Sequence, residues 1–270
     1  MSSAEVFLSC PICLSNQINI FSAEVLKKYQ AQYKVCYECG YLQADEPHWL
    51  SEAYLFPIAN ADTGLMSRNN LLANKISRIL FWLGNHQADS RYLDIAGGYG
   101  CLTRLMRDFG FNFFWADKYC QNLFANGFES SNTNGKWNAI TAIEVIEHVI
   151  DPKAFIKDAF NLSGASMLIF TTELYEGDPP DPSSWWYYTF TTGQHIGFFQ
   201  QKTLKRIALD MDLHFVTANG IHILSRKKMN KFLLNVLTNR YLSIFPVFLI
   251  QRILGSKTYE DHLKMMQKND

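Results

Sequence analysis

The chain has 270 residues, 48% of them hydrophobic, enough for one sizeable core and a small appendage. Lys plus Arg and Asp plus Glu both number 25, so no net basic field exists to collect nucleic acid, and a nucleic-acid partner is disfavoured. Met1 to Glu5 lacks the basic start and apolar core of a signal peptide, and no apolar run is long enough to span a bilayer. These features predict a cytoplasmic protein whose six cysteines are reduced.

The first element is metal chemistry. Cys10-Pro-Ile-Cys13 and Cys36-Tyr-Glu-Cys39 form two C-x-x-C knuckles at the spacing of a zinc ribbon, assigned to residues 1–47. Four thiolates close a tetrahedral shell and leave no position for water, which is the signature of structural zinc. Neither pair follows a strand in a thioredoxin-like pattern, which argues against a redox role. Ile18–Phe21 and Tyr33–Tyr37 supply short strands between the knuckles, and Cys101 and Cys120 read as small core residues.

Residues 48–90 read as a polar, turn-rich linker with a helix from Asn70 to Leu83, covering a cofactor cleft. Within it Tyr54 and Arg68 are candidates to meet a ligand carboxylate or the substrate, or else belong to a solvated connection.

The core domain is expected over residues 91–228. In Arg91-Tyr-Leu-Asp-Ile-Ala-Gly-Gly-Tyr-Gly-Cys101, a short apolar run predicts a buried strand, the glycines a turn, and Leu102–Phe109 a helix. Glycines at that junction let a nucleoside-type ligand lie against the main chain, because no Cβ holds it off. The third glycine of a dinucleotide fingerprint is absent, its place taken by Thr103. A second strand, Phe111 to Asp117, ends in an acid about 20 residues after the turn, where a carboxylate can accept from both ribose hydroxyls or close a turn. Lys136 to Val149 reads as a strand running into Glu144-Val-Ile-Glu147-His148, and Asp151-Pro152 opens a helix. A further strand spans Gly164–Thr172. The helix Gln201–Met211 and the strands His214–Ala218 and Ile221–Ser225 complete a seven-stranded pattern with a terminal hairpin.

Asp94, Ala96, Gly98 and Gly100 resemble the first motif of class I S-adenosylmethionine-dependent methyltransferases, with Ala96 where that family usually has glycine. The E-V-x-E-H segment resembles a second motif of the same family, with Asn138 replacing its usual aspartate. The resemblance implies an α/β fold with a Rossmann-like, doubly wound seven-stranded sheet. It also implies S-adenosylmethionine held by Asp94, Ala96, Gly97, Gly98 and Gly100 around the methionyl part, Asp117 on the ribose, and Glu144 lining the cleft.

Glu173–Phe199 is rich in proline and aromatics, placed where an α/β fold binds its acceptor. Around Gln194-His195 it resembles the Y-H-E-H-x-x-Y-F element of sugar C-methyltransferases, which also carry an N-terminal zinc ribbon. Gln194 replaces the glutamate, and the long C-terminal domain of those enzymes has no counterpart. The implied acceptor is a small polar molecule, a sugar or nucleotide-linked sugar, methylated on carbon or oxygen. His195 is the candidate general base, with Tyr188 and His148 as further catalytic candidates; an ordinary loop histidine is the competing reading. Trp185, Trp186, Tyr187 and Tyr188 suit a pyranose, a quinone precursor or simple packing. Glu144, Glu147 and His148 also resemble the E-x-x-E-H magnesium site of certain O-methyltransferases, which would go with a phenolic acceptor. An alternative of another class is a non-catalytic scaffold that docks a partner through the zinc ribbon.

The tail, residues 229–270, carries apolar residues at helical spacing near Lys227, Lys228 and Lys231. It predicts helices packed on the domain or on a second subunit of a homodimer, or lying on a membrane surface.

Overall fold

The computed structural model describes residues 9–59, 62–83, 86–87, 89–132, 136–239, 241 and 244–267, and the signal-peptide reading at residues 1–5 lies outside them. In chain order the elements are strands β1 (Ile18–Val25), β2 (Tyr29–Cys36) and β3 (Tyr41–Ala44), then helices α1 (Leu50–Ala53) and α2 (Leu65–Leu83). Next come β4 (Tyr92–Ile95), α3 (Cys101–Asp108), β5 (Phe113–Ala116), β6 (Ala139–Ile143), α4 (Pro152–Ser163) and β7 (Met167–Thr171). The chain continues with β8 (Gly197–Phe198), α5 (Gln201–Asp210), β9 (His214–Ala218) and β10 (Ile221–Ser225). It ends in the helices α6 (Lys231–Thr238), α7 (Ile244–Leu254) and α8 (Thr258–Met266). Among the described residues no helix is long and apolar enough to cross a membrane.

These elements form two compact units. The first comprises Met1–Phe56, Glu144–Lys157 and Thr172–Leu213. The chain enters it directly after β6 and again directly after β7, so segments distant in sequence share one core. Its sheet is antiparallel, in the order β1-β2-β3-β8. The strands between the knuckles are longer than expected because the alternating side chains of Ile18–Val25 pair along the whole of Tyr29–Val35. The core is aromatic: Tyr33, Trp49, Tyr175, Tyr187, Tyr188 and Phe198 are buried together, with Phe21 stacked on Tyr33 at 4.7 Å and Tyr188 on Phe190 at 5.0 Å.

The second unit comprises Pro57–Ile143, Asp158–Thr171 and His214–Asp270. Its six-stranded sheet runs β5-β4-β6-β7-β10-β9, with the first four strands parallel and β10 antiparallel to both neighbours, so the terminal hairpin falls where the sequence predicts it. The expected count of seven strands is corrected to six among the described residues. The missing strand is reduced to one parallel bridge between Glu129 and Trp115, because the segment after Asp117 is dominated by Asn, Ser and Gly and has no apolar run to enter a sheet. Ile76, Ile79 and Leu80 of α2 pack with Tyr92, Leu102, Phe113, Ile169 and Ile223 in the core of this unit.

The tail is fastened to the end of α3. Arg107 donates from Nε and Nη2 to both carboxylate oxygens of Asp261 at 2.7 and 2.6 Å, and Arg104 reaches the same carboxylate at 2.9 Å. Both members of the Arg107–Asp261 pair are buried, and the guanidinium lies 3.6 Å from the Phe128 ring centroid. Gln251 donates to Asp108 O, and the Lys257 amide to Arg107 O. Removing one partner of a buried pair strands the other charge, so Asp261→Ala should lower the unfolding free energy by about 3–5 kcal/mol. Urea denaturation followed by circular dichroism measures this, and Arg107→Met/Asp261→Leu should recover most of the loss.

Candidate functional site

The glycine turn belongs to the second unit. Ala96, Gly98 and Gly100 take left-handed φ values of 52°, 56° and 85°. Ala96 therefore holds, with a side chain, a conformation that costs an L-residue about 1–2 kcal/mol. At Gly97 the reason for glycine is space: a Cβ would lie 2.7 Å from Asp94 Oδ2 and 2.8 Å from Trp115 Cδ1. Gly100 ends the turn and begins α3 with no side-chain cap, so the first amides of that helix are unclaimed by side chains, a position suited to a carboxylate.

Two aspartates brace this loop. Asp117 Oδ2 accepts from the Gly98 amide at 2.9 Å, and Oδ1 from the amides of Tyr119 and Cys120 at 2.7 and 2.8 Å. The carboxylate thus closes the turn after β5 and ties it to the glycine loop, leaving roughly one of its four lone-pair positions for a ribose hydroxyl. Asp94 is buried, accepting from Thr141 Oγ1 at 2.6 Å and Thr103 Oγ1 at 3.4 Å. Burial, opposed by the two threonines, pushes its carboxyl up to about 7. Arg68 pairs with Asp62 through both Nη atoms, at 3.1 and 2.6 Å.

The residues expected around the acceptor lie in the first unit. Glu144 adopts a left-handed φ of 52°, and a 3₁₀ turn, Ile146–His148, follows. Glu147 is fully buried: Oε1 accepts from Tyr187 Oη at 2.7 Å, while Oε2 has no hydrogen-bond partner among the described residues. Burial first, then the charge of Glu144, holds its carboxyl well above the usual range. Tyr187 Oη also lies 3.2 Å from Glu144 Oε2 and 3.1 Å from Thr172 Oγ1. His148 and His195 cross edge to face at 4.7 Å. Nδ1 of His195 lies 2.7 Å from the Tyr187 carbonyl, a contact that only an Nδ1–H tautomer can make, which leaves Nε2 with its lone pair. Burial lowers His195 to about 4 and drives His148 well below the usual imidazole value, so both rings are neutral at pH 7. Ligand atoms of Glu147, His148 and His195 all lie within 4.8 Å of one another, so His195 takes the place in this group expected of Glu144.

Tyr188, expected to be catalytic, is elsewhere: its hydroxyl donates to Pro180 O at 2.9 Å and its ring sits in the aromatic core. Tyr187 occupies the polar cluster instead. Nothing in Trp185-Trp186-Tyr187-Tyr188 distinguishes them; the 3₁₀ turn over Trp186–Tyr188 decides which phenol meets Glu147. Of these four aromatics only Trp186 is exposed. Gln194 donates through Nε2 to the carbonyls of Ala53 and Phe56, two contacts that a glutamate carboxylate could not make.

The four knuckle cysteines are buried, with sulfur contacts of 3.6 Å (Cys10 to Cys39) and 3.4 Å (Cys13 to Cys36), and all four sulfurs fall within 4.8 Å of each other. Thiolates on a tetrahedral zinc at about 2.3 Å stand about 3.8 Å apart, so the set fits the ion with small outward shifts. The Ile12 amide points at Cys10 Sγ, and Gly40 at φ 71° closes the second knuckle.

A family profile described as a methyltransferase domain matches residues 66–218. Curated proteins give no match. Among solved structures, the plantazolicin methyltransferase BpumL in complex with SAH is 10% identical with a TM-score of 0.46, covering 76% of this chain and 90% of that one. TnmH is 13% identical at a TM-score of 0.45, covering 66% of this chain, which spans only 61% of TnmH. Magnesium protoporphyrin IX methyltransferase (ChlM) from Synechocystis PCC 6803 with bound SAH is 13% identical at 0.41, covering 64% and 90%.

The Asp94 carboxyl yields a pH signature. Its folded pKa is raised, so its contribution to stability is complete below about 3.8 and is lost as pH rises through about 7. The ligand-free protein should therefore lose on the order of a few kcal/mol between pH 4 and pH 7 from this group. Asp94→Asn should flatten that slope in urea titrations repeated across the range.

Proposed function

The chain belongs to the methyltransferase-domain family, and we propose that it transfers the methyl group of S-adenosylmethionine to a small polar acceptor, a sugar or nucleotide-linked sugar. Asp94, Ala96, Gly97, Gly98 and Gly100, with the uncapped start of α3, would hold the methionyl part, and the remaining acceptor position of Asp117 would take a ribose hydroxyl. Methyl transfer from a sulfonium is an in-line displacement: a bond forms from the acceptor oxygen or carbon to the methyl carbon, and the carbon–sulfur bond breaks to give a thioether. The donor is already activated, so protein groups are needed to align the reactants, exclude water and receive the acceptor's proton. The observation that carries the reading is the tautomer of His195, which presents a neutral Nε2 lone pair from a buried cluster of Tyr187, Glu147 and His148. Nε2 receives the proton, and His148 and Glu147 support the ring's surroundings.

A second reading has its own observation. Glu147 Oε2 and His148 Nδ1 are buried with no hydrogen-bond partner among the described residues, beside a His195 nitrogen that is free to coordinate. One carboxylate and two neutral imidazoles would hold a divalent cation, which would polarise a phenolic or quinone-type acceptor. The nitrogen ligands suit iron or zinc better than magnesium.

Turnover of nucleotide sugars and phenolic acceptors, read as released S-adenosylhomocysteine, tests both. The first reading expects sugar turnover that survives removal of exchangeable divalent cations by a chelator too weak to strip a four-thiolate zinc, and a loss on the order of a hundredfold or more in His195→Ala. Turnover of phenols alone, abolished by that mild chelation and restored by iron(II) or zinc, would transfer the assignment to the second. Absence of S-adenosylhomocysteine binding in calorimetry on well-folded protein would remove the donor. We also assign a structural zinc to Cys10, Cys13, Cys36 and Cys39; elemental analysis of protein made without added metal should find about one per chain.

A further inference from the structure

The tail helices are amphipathic in the inverse sense for part of their surface. On α7, Val247 and Ile250 are buried, yet the opposite face carries Phe248, Leu249 and Ile253, exposed by 60%, 40% and 65%. On α8, Asp261 is the anchored residue, while Tyr259, Leu263 and Met266 at i, i+4 and i+7 form an apolar stripe on the solvent side, exposed by 72%, 45% and 58%. The contacts of Gln251, Lys257 and Asp261 with the end of α3 hold the inner faces of these helices against the core. Each helix thus presents a stripe of exposed apolar side chains, the pattern of an interaction surface.

Charge selects the occupant. Residues 226–270 carry nine Lys and Arg against three Asp and Glu, whereas the preceding 225 residues carry 16 against 22. Arg252 lies on the outward face of α7, and Lys227, Lys228 and Lys231 are exposed at the start of the tail; Lys264, 5.0 Å from the Phe128 ring centroid, lies on the inner side of α8. An isologous contact with a second copy would bring this basic region against itself. We propose that the outer faces of α7 and α8 dock on an anionic lipid surface, with the aromatic and aliphatic side chains entering the headgroup boundary and the basic residues pairing with lipid phosphates.

The full chain should co-sediment with vesicles of phosphatidylcholine containing phosphatidylglycerol, weakly with phosphatidylcholine alone, and less at high salt. Phe248→Glu/Ile253→Glu and, separately, Tyr259→Glu/Leu263→Glu should each weaken capture on the order of tenfold. Melting temperature and S-adenosylhomocysteine affinity, measured in parallel, should be unchanged. Failure of the wild type to bind anionic vesicles, or equal capture of wild type and folded variants, overturns the proposal. So does a concentration-dependent dimer, abolished by either variant, in protein that ignores vesicles; that result would give the face to a second copy.

Discussion

The main chain of Ile196 is bonded on both sides, its amide to the Glu147 carbonyl and its carbonyl to the Ala44 amide, each at 2.8 Å. Through this residue the third strand of the cysteine-bearing sheet and the turn that carries Glu147 and His148 are tied to the segment that carries His195. The pairing continues as Gln43 with Gly197 and Leu42 with Phe198. Further along, Thr203 Oγ1 donates to Cys39 O and Tyr175 Oη to Gly40 O, both at 2.7 Å. The second cysteine knuckle and the histidine segment are therefore parts of one rigid arrangement, and a metal on the thiolates would stiffen the framework that sets the imidazole positions.

That framework explains the protonation states. A carboxyl and two imidazoles placed inside an aromatic core lose water without gaining a full set of partners, so the charged form of each is penalised. Glu147 is pushed up, and His148 and His195 are pushed down. The result is a compact group of neutral or nearly neutral donors and acceptors, with a phenol shared between two glutamates. The neutral imidazoles need lose no proton before they accept one or ligate a cation, whereas the Glu147 carboxyl would have to ionise to join them.

In the sheet unit, α3 connects two constraints. Its first residue follows the glycine turn braced by Asp94 and Asp117, and its last turn supplies Arg107 and Asp108 to hold the tail. The loop pays for its shape in left-handed backbone at Ala96, and the hydrogen bond from the Gly98 amide to Asp117 fixes it against β5.

Local spacing made a large part of this legible in the sequence. The doubled C-x-x-C places four sulfurs because each knuckle is one short turn; the glycine loop, the terminal hairpin and the strands that stop just before Asp117 and Glu144 follow from short-range patterns of apolar and turn-forming residues. The tertiary structure decided what depends on neighbours far along the chain. Tyr187 rather than Tyr188 meets Glu147, because a single turn of 3₁₀ helix aims one phenol inward and gives the other to Pro180. The burial that lowers the His195 pKa is encoded by no local pattern. The seventh strand of the expected sheet shrinks to one bridge, since sheet membership needs an apolar run as well as an adjacent edge. The apolar side chains of the tail divide between core and solvent according to where Asp261 finds Arg107, a pairing across 154 positions that helical periodicity alone cannot specify.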